Sequence, residues 1–262
     1  MAEKNGEVPA INKMNMVFDL LASETKGLSQ ASVCSRLDLP KATVSRLINT
    51  LTTMGYLEQP GNNSLYTLGP KLLALGNIVN KRLDISLISA PIIETLSHTI
   101  DEMVKVSIIR GDVVYPVQSC ESQKAMRITL DSGTVFPPYI GAAGKLLLAL
   151  TDLGKLYTGN YLPYVEMKSF TDYTITNYGK LLESIKEIEV NGYAVDLQEE
   201  SEGIYAIALP VYDSHSLVVA AVSIPFFGDF EHKKNKYMPL LKICTEEISR
   251  SMGYKEGVTI ER

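Results

Sequence analysis

Tryptophan is absent from this 262-residue chain, and cysteine and histidine occur only three times each. Cys34, Cys120 and Cys244 lie far apart with no Cys-x-x-Cys pair. That argues against a disulfide framework or a thiolate zinc site and fits a reducing cytoplasm. His98, His215 and His232 are isolated, with no His-x-x-His or His-Glu-x-x-His spacing for a metal and no evident Ser-His-Asp order. Catalysis therefore finds little support, and no cofactor is expected. Long apolar runs are lacking as well. The longest, residues 217–228, spans about 12 residues, short of the ~20 that a spanning helix needs. The opening MAEKNGEVPA offers no apolar stretch for a secretory signal. No membrane partner is expected, and no repeat or low-complexity segment appears.

What is present is an ordinary globular balance, 45% hydrophobic and 21% charged residues, in a chain long enough for two modest domains. Charge is distributed unevenly. Residues 1–68 hold six Lys/Arg against six Asp/Glu, residues 69–83 add three cations, and the remainder carries 16 basic and 24 acidic residues. The acid sits in the C-terminal two-thirds; the N-terminal third is neutral, which permits nucleic-acid binding without demanding it.

In that third, Met14, Val17, Phe18 and Leu21 keep helical spacing, so residues 11–23 read as an amphipathic helix. Ser29 is a suitable N-cap for a second helix with Val33, Cys34 and Leu37 inward. Pro40 suits the first turn of a third helix, whose apolar stripe is Val44, Leu47, Ile48, Leu51 and Met54. The opposite face carries Ala42, Ser45, Arg46, Asn49 and Thr53, flanked by Lys41 and Thr43, and no acid occurs between Asp38 and Glu58. Residues 56–59 and 65–68 read as two strands around a Pro60-Gly61-Asn62-Asn63 turn. Three helices and a terminal hairpin make a winged helix-turn-helix, a module that lays its third helix in the major groove. The plainer alternative is a small helical domain that binds protein or nothing.

These residues resemble the IclR-type bacterial transcriptional regulators. The resemblance is carried by Gly27-Leu28-Ser29, by residues 37–47 (LDLPKATVSRL), by Gly55-Tyr56-Leu57 and by residues 66–76 (YTLGPKLLALG). It continues through Gly141 to Lys145, Gly192 to Asp196 and Gly203 to Val211. One departure is Asp38, where the family usually has glycine; aspartate tolerates a left-handed turn better than most residues. The resemblance implies a winged DNA-binding domain over residues 1–69, a linker helix over 70–84 that helps pair two subunits, and an effector-binding and oligomerisation domain over 85–262. The linker's stripe is Leu72, Leu75, Val79 and Leu83.

In the C-terminal part, strand-like runs at 104–109, 113–117, 126–130, 193–195, 204–212 and 217–224 are bracketed by helical segments near 86–101, 142–150, 178–190 and 234–252. This order favours an antiparallel sheet flanked by helices. The fold class expected for the whole chain is α+β, with a second domain similar to a GAF or PAS fold.

The strongest candidate for a ligand site is Gly141-Ala142-Ala143-Gly144-Lys145, opening a helix whose first-turn N–H groups favour an anion such as a carboxylate. A phosphate-gripping loop is rejected: that pattern needs glycine where Tyr139 stands and Ser or Thr where Leu146 stands. The alternative is that these small residues only let the helix pack against the sheet. Asp196 and Ser223 are further candidates, with Tyr139 and Tyr205 beside the motifs; the resemblance adds Met126, Ile128, Phe136 and Ala206. Ala206 replaces a frequent family cysteine and Pro225 a second serine, so a larger or more apolar effector than the smallest oxoacids is expected. Glu199-Glu200-Ser201-Glu202 reads as a solvated loop beside the site.

The sequence thus predicts a regulator with double-stranded operator DNA and a small-molecule effector, an organic, sugar or aromatic acid, as partners. Ser29, Lys41, Ala42, Thr43, Ser45, Arg46, Asn49, Asn62 and Asn63 are its candidate DNA-binding residues. Few cations per subunit make a homodimer, or a tetramer, the form in which affinity becomes useful. Two other readings compete: an enzyme tethered by the winged module, and a winged module that binds protein only.

Overall fold

A computed structural model describes residues 8–24, 26–60, 64–80, 84–131 and 133–255, with backbone alone at 77, 79 and 80. The chain forms two compact units, Met1–Arg82 and Leu83–Arg262.

In the first unit, helices α1 (Pro9–Ala22), α2 (Gln30–Leu37) and α3 (Lys41–Thr53) pack on a small antiparallel sheet. Its strands are β1 (Leu28–Ser29), β2 (Leu57–Glu58) and β3 (Leu65–Leu68), in the order β1-β3-β2. Ser29 caps α2, its hydroxyl accepting the Ser32 amide at 3.2 Å. Asp38 ends α2 in the left-handed region at φ 50°, which a short polar side chain tolerates. The resulting sharp turn sets α3 across α2. Val17, Leu21, Val33, Val44, Ile48, Leu51 and Leu57 form the core, with Met14, Phe18, Cys34 and Leu37 partly buried around it. Met54, expected on the inner stripe, is 53% exposed because the helix ends beneath it. Helix α4 (Pro70–Asn80) follows; of its expected stripe Leu72 is half-buried and Leu75 exposed, while the side chains of Val79 and Leu83 lie outside the described residues.

The second unit is built on a five-stranded antiparallel sheet of β4 (Val104–Arg110), β5 (Val113–Cys120), β6 (Ala194–Leu197), β7 (Ile204–Tyr212) and β8 (Val218–Phe227), in the order β5-β4-β8-β7-β6. Side chains alternate across a strand, and the register sorts them into two unlike faces. Val104, Val106, Ile207, Val222, Ile224 and Phe226 face α5 (Ile85–Ile100) and α9 (Phe230–Ser251) in one large-residue core. The other face is mostly small: Ala194, Ala206, Ala208 and Ala221, with Ser223 and Lys105 directly opposite each other on β8 and β4. Small side chains let α6 (Gly141–Leu150) lie close over this face, backed by α7 (Asp152–Asn160) and α8 (Tyr178–Asn191).

Residues 126–130, expected as a strand, join no ladder; α7 falls where no helix was expected. The first belongs to an irregular segment between β5 and α6. The second is initiated by Thr151, whose hydroxyl accepts the Gly154 amide at 2.9 Å.

Candidate functional site

Two surfaces are candidates, one in each unit. On α3 the buried side chains Val44, Ile48 and Leu51 fix which face turns outward. That face presents Lys41, Ala42, Arg46 and Asn49 to solvent, with Thr43 and Ser45 half-buried at its edge. It carries two cations and no acid. Arg36, the neighbouring cation on α2, is ion-paired with Glu24. Ser29, Lys41, Gln59 and Tyr66 border a concavity between the start of α2, the start of α3 and the hairpin. Asn62 and Asn63, the expected wing tip, lie outside the described residues.

In the second unit a recess of about 640 Å³, its mouth included, opens between the first turn of α6 and the small-residue face of the sheet. Gly141 begins α6 at φ +70°, a conformation open to glycine, and a Cβ there would sit 3.2 Å from Glu200 Oε2 and 3.6 Å from Asp196 Oδ2. Gly144 matters for packing instead, since a Cβ at that position would come within 2.7 Å of the Pro138 carbonyl. One glycine of the motif therefore shapes the recess and the other allows close approach of the helix.

The β6–β7 loop closes one side. Asp196 Oδ1 accepts the Glu199 amide at 2.7 Å, and the Thr171 and Thr174 hydroxyls donate to the Gln198 and Glu199 carbonyls, each at 2.7 Å. Glu199 is ion-paired with Lys145, both side chains deeply buried. Burial pushes the Glu199 carboxyl above its ordinary range, while Lys145 and the Gly141 backbone pull it back. Asp196 is pushed up to about 7, chiefly by burial and then by the charge of Glu199.

Of the sequence-predicted effector residues, Ile128, Phe136, Gly141, Ala142, Ala143, Asp196, Ala206 and Ser223 line this recess. Three stand elsewhere. Met126 is 72% exposed on the irregular segment. Tyr139 is buried beside α6, its hydroxyl accepting the Lys168 amide at 3.1 Å. Tyr205, one position off Ala206, points to the opposite face and packs on Phe226 and Phe230. The acidic loop also departs from expectation. Glu199 is 4% exposed and Glu200 borders the recess, so of the three acids only Glu202 is exposed to solvent. Glu199 and Glu200 meet the first turn of α6, where an effector's anion was expected.

Lys105 and Ser107, outside the sequence-predicted set, also line the recess. The sign was there: Val104-Lys105-Val106-Ser107 alternates apolar and polar, which on a strand places both polar groups on one face.

Residues 78–250 match the bacterial transcriptional regulator IclR C-terminal domain, and residues 10–61 the IclR helix-turn-helix domain. The chain belongs to the IclR family of bacterial transcriptional regulators. It is 28% identical over 259 residues to the HTH-type transcriptional regulator KdgR of Escherichia coli (strain K12), covering 97% of this chain and 98% of that one. It is 32% identical over 222 residues to the HTH-type transcriptional regulator Rv1719 of Mycobacterium tuberculosis (strain ATCC 25618 / H37Rv), covering 85% and 83%. Among solved structures, the Agobacterium tumefaciens repressor BlcR shares the fold with a TM-score of 0.78 at 23% identity, covering 95% of this chain and 99% of that one. These families and relatives are regulators of transcription, not enzymes. DNA binding thus falls to the N-terminal unit and effector binding to the C-terminal one. No helix among the described residues is long and apolar enough to cross a membrane.

Proposed function

We propose that this chain is a cytoplasmic, effector-responsive regulator of a catabolic operon, reading operator DNA with the exposed face of α3 and sensing an organic, sugar or aromatic acid in the recess beneath α6. The observation that carries the reading is the face of α3 itself: Lys41, Arg46 and Asn49 are solvent-exposed on a helix whose other side is fully packed. Arg46 and Asn49 carry groups suited to bidentate hydrogen bonds with guanine and adenine edges. Lys41, Thr43, Ser45 and the capped start of α2 at Ser29 supply backbone and groove contacts, and Ala42 allows close approach. Asn62 and Asn63 belong to the proposed wing.

The exposed apolar residues Leu73, Leu75 and Ile78 of α4 support its role as a pairing helix in a homodimer, or a tetramer of such dimers. Burying them against a second copy removes apolar surface from water. An effector that binds one arrangement of the dimer better shifts operator affinity by that difference.

The test is titration of genomic fragments captured by the purified chain, with and without a panel of organic, sugar and aromatic acids. The expected result is sequence-specific binding that at least one acid shifts by about fivefold or more. Binding of all fragments alike, with no response to any acid, contradicts the reading.

A further inference from the structure

The recess holds an unbalanced set of polar groups. Lys105 is 9% exposed and Ser107 and Ser223 are each 1% exposed, yet Lys105 makes no ion pair among the described residues and both serine hydroxyls lack a hydrogen-bond partner. The Lys105 ammonium lies 4.6 Å from the centre of the Phe136 ring, a contact that steadies a cation without neutralising it. Buried cations are ordinarily paired, and buried hydroxyls ordinarily hydrogen-bonded. Of the nearby acids, Glu199 is paired with Lys145 and Asp196 accepts the Glu199 amide, while Glu200 lines the recess beside the start of α6.

The register explains how the three groups converge. Lys105 on β4 pairs directly with Ser223 on β8, and Ser107 follows two residues along on the same face. They share the wall formed by the sheet, whereas Asp196 and Glu200 crowd the start of α6. One recess therefore offers an unpaired cation with two hydroxyls, and separately two carboxylates able to accept hydrogen bonds.

We infer that Lys105, with the Ser107 and Ser223 hydroxyls, receives the carboxylate of the effector on the sheet wall, and that the acids beside α6 accept hydrogen bonds from hydroxyl groups on the rest of the ligand. This rests on the reading of the recess as the effector site and deepens it: the ligand is a hydroxylated monocarboxylate, a sugar acid or short hydroxy acid. The first turn of α6 is left to the ligand's hydroxyl groups, because the Asp196 and Glu200 side chains already crowd it. Ala206 and Pro225, which bring no hydrogen-bond donor, leave Lys105 as the group that selects for charge. Lys105 is then a specificity residue held ready at a cost to the unliganded fold, a compromise common at binding sites.

Thermal unfolding of the full chain tests this, using wild type, Lys105→Met and Lys105→Arg. Gluconate, galacturonate, glycerate and lactate serve as acids, sorbitol and glycerol as their neutral counterparts, and propionate and benzoate as acids without hydroxyls. Without ligand, Lys105→Met, of similar length and uncharged, is expected to melt about 2–4 °C above wild type; a lower midpoint marks Lys105 as structural and overturns the inference. At least one hydroxy acid is expected to raise the wild-type midpoint while its neutral counterpart does not. Lys105→Met should weaken that acid at least about tenfold, and Lys105→Arg should retain part of the response. An equal response in Lys105→Met, or no response of wild type to any hydroxy acid, overturns it. Shifts caused only by propionate, benzoate or neutral compounds overturn the ligand class yet leave the recess as the effector site. If no compound shifts wild type and none alters DNA binding, the effector reading itself fails.

Discussion

Lys145, in the second turn of α6, and Glu199, two residues beyond β6, form a buried ion pair that ties the helix over the recess to the loop at its side. The pair fixes the geometry of Asp196, whose carboxylate accepts the Glu199 amide. Removing one partner leaves the other charge uncompensated in the interior, which costs about 3–5 kcal/mol. Lys145→Met and Glu199→Gln should each lower the thermal midpoint, by roughly 10 °C. The double substitution Lys145→Met/Glu199→Leu should recover most of that loss. Calorimetry checks both, and unchanged midpoints in the single variants would show the pair to be incidental.

Asp196 supplies a pH dependence. Its carboxyl is raised from 3.8 to about 7 by burial and by Glu199. The folded chain therefore binds a proton that the unfolded chain has already released between these values. Stability contributed by the protonated form is complete below pH 3.8 and falls as pH rises through about 7. Unfolding free energy should decline by a few kcal/mol, on the order of the shift, between pH 5 and pH 8. Asp196→Asn keeps an acceptor for the Glu199 amide and should flatten the decline. A slope retained in full by Asp196→Asn would assign it to another group.

Asp38 holds the turn between α2 and α3 at φ 50°. Asp38→Gly removes the Cβ that makes this region costly and should leave stability unchanged or slightly higher. Asp38→Val, β-branched and without a local acceptor, should lose about 1–2 kcal/mol. Urea midpoints of the two variants measure the difference, and a stable Asp38→Val would mean the turn relaxes.

On the DNA-facing surface the cations should separate by role. Lys41→Ala should weaken binding to all sequences and reduce the slope of log affinity against log salt by about 1 per subunit. Arg46→Ala should cost about 1–3 kcal/mol at the base it reads and relax preference there. Anisotropy titrations at several salt concentrations distinguish them; a uniform effect of Arg46→Ala would place it on the phosphate backbone.

The N-terminal unit was largely legible because its cues are local. The Ser29 cap, the Asp38 turn and the Val44, Ile48, Leu51 stripe need only near neighbours in sequence, and each stands where the pattern places it. The recess was less legible because it depends on register between distant strands. Ala206 and Tyr205 are adjacent in sequence, yet one lines the recess and the other packs on Phe226 and Phe230 across the sheet. Glu199 looked like part of an acidic surface loop because its partner, Lys145, is 54 residues away. Lys105 and Ser107 carried a period-two pattern, but only the pairing of Lys105 with Ser223 shows which face is the inner one. Met54 obeys the helical period and still lies outside, because it is the C-cap at which α3 ends.

Selection of DNA from a random library by the purified chain, run in parallel with Arg46→Ala/Asn49→Ala, tests the account most directly. Wild type should enrich a pseudo-palindrome whose half-sites lie about 10 base pairs, or a multiple, apart, and the double variant should enrich none. Enrichment of the same motif by both proteins, or of no motif by wild type, would contradict it.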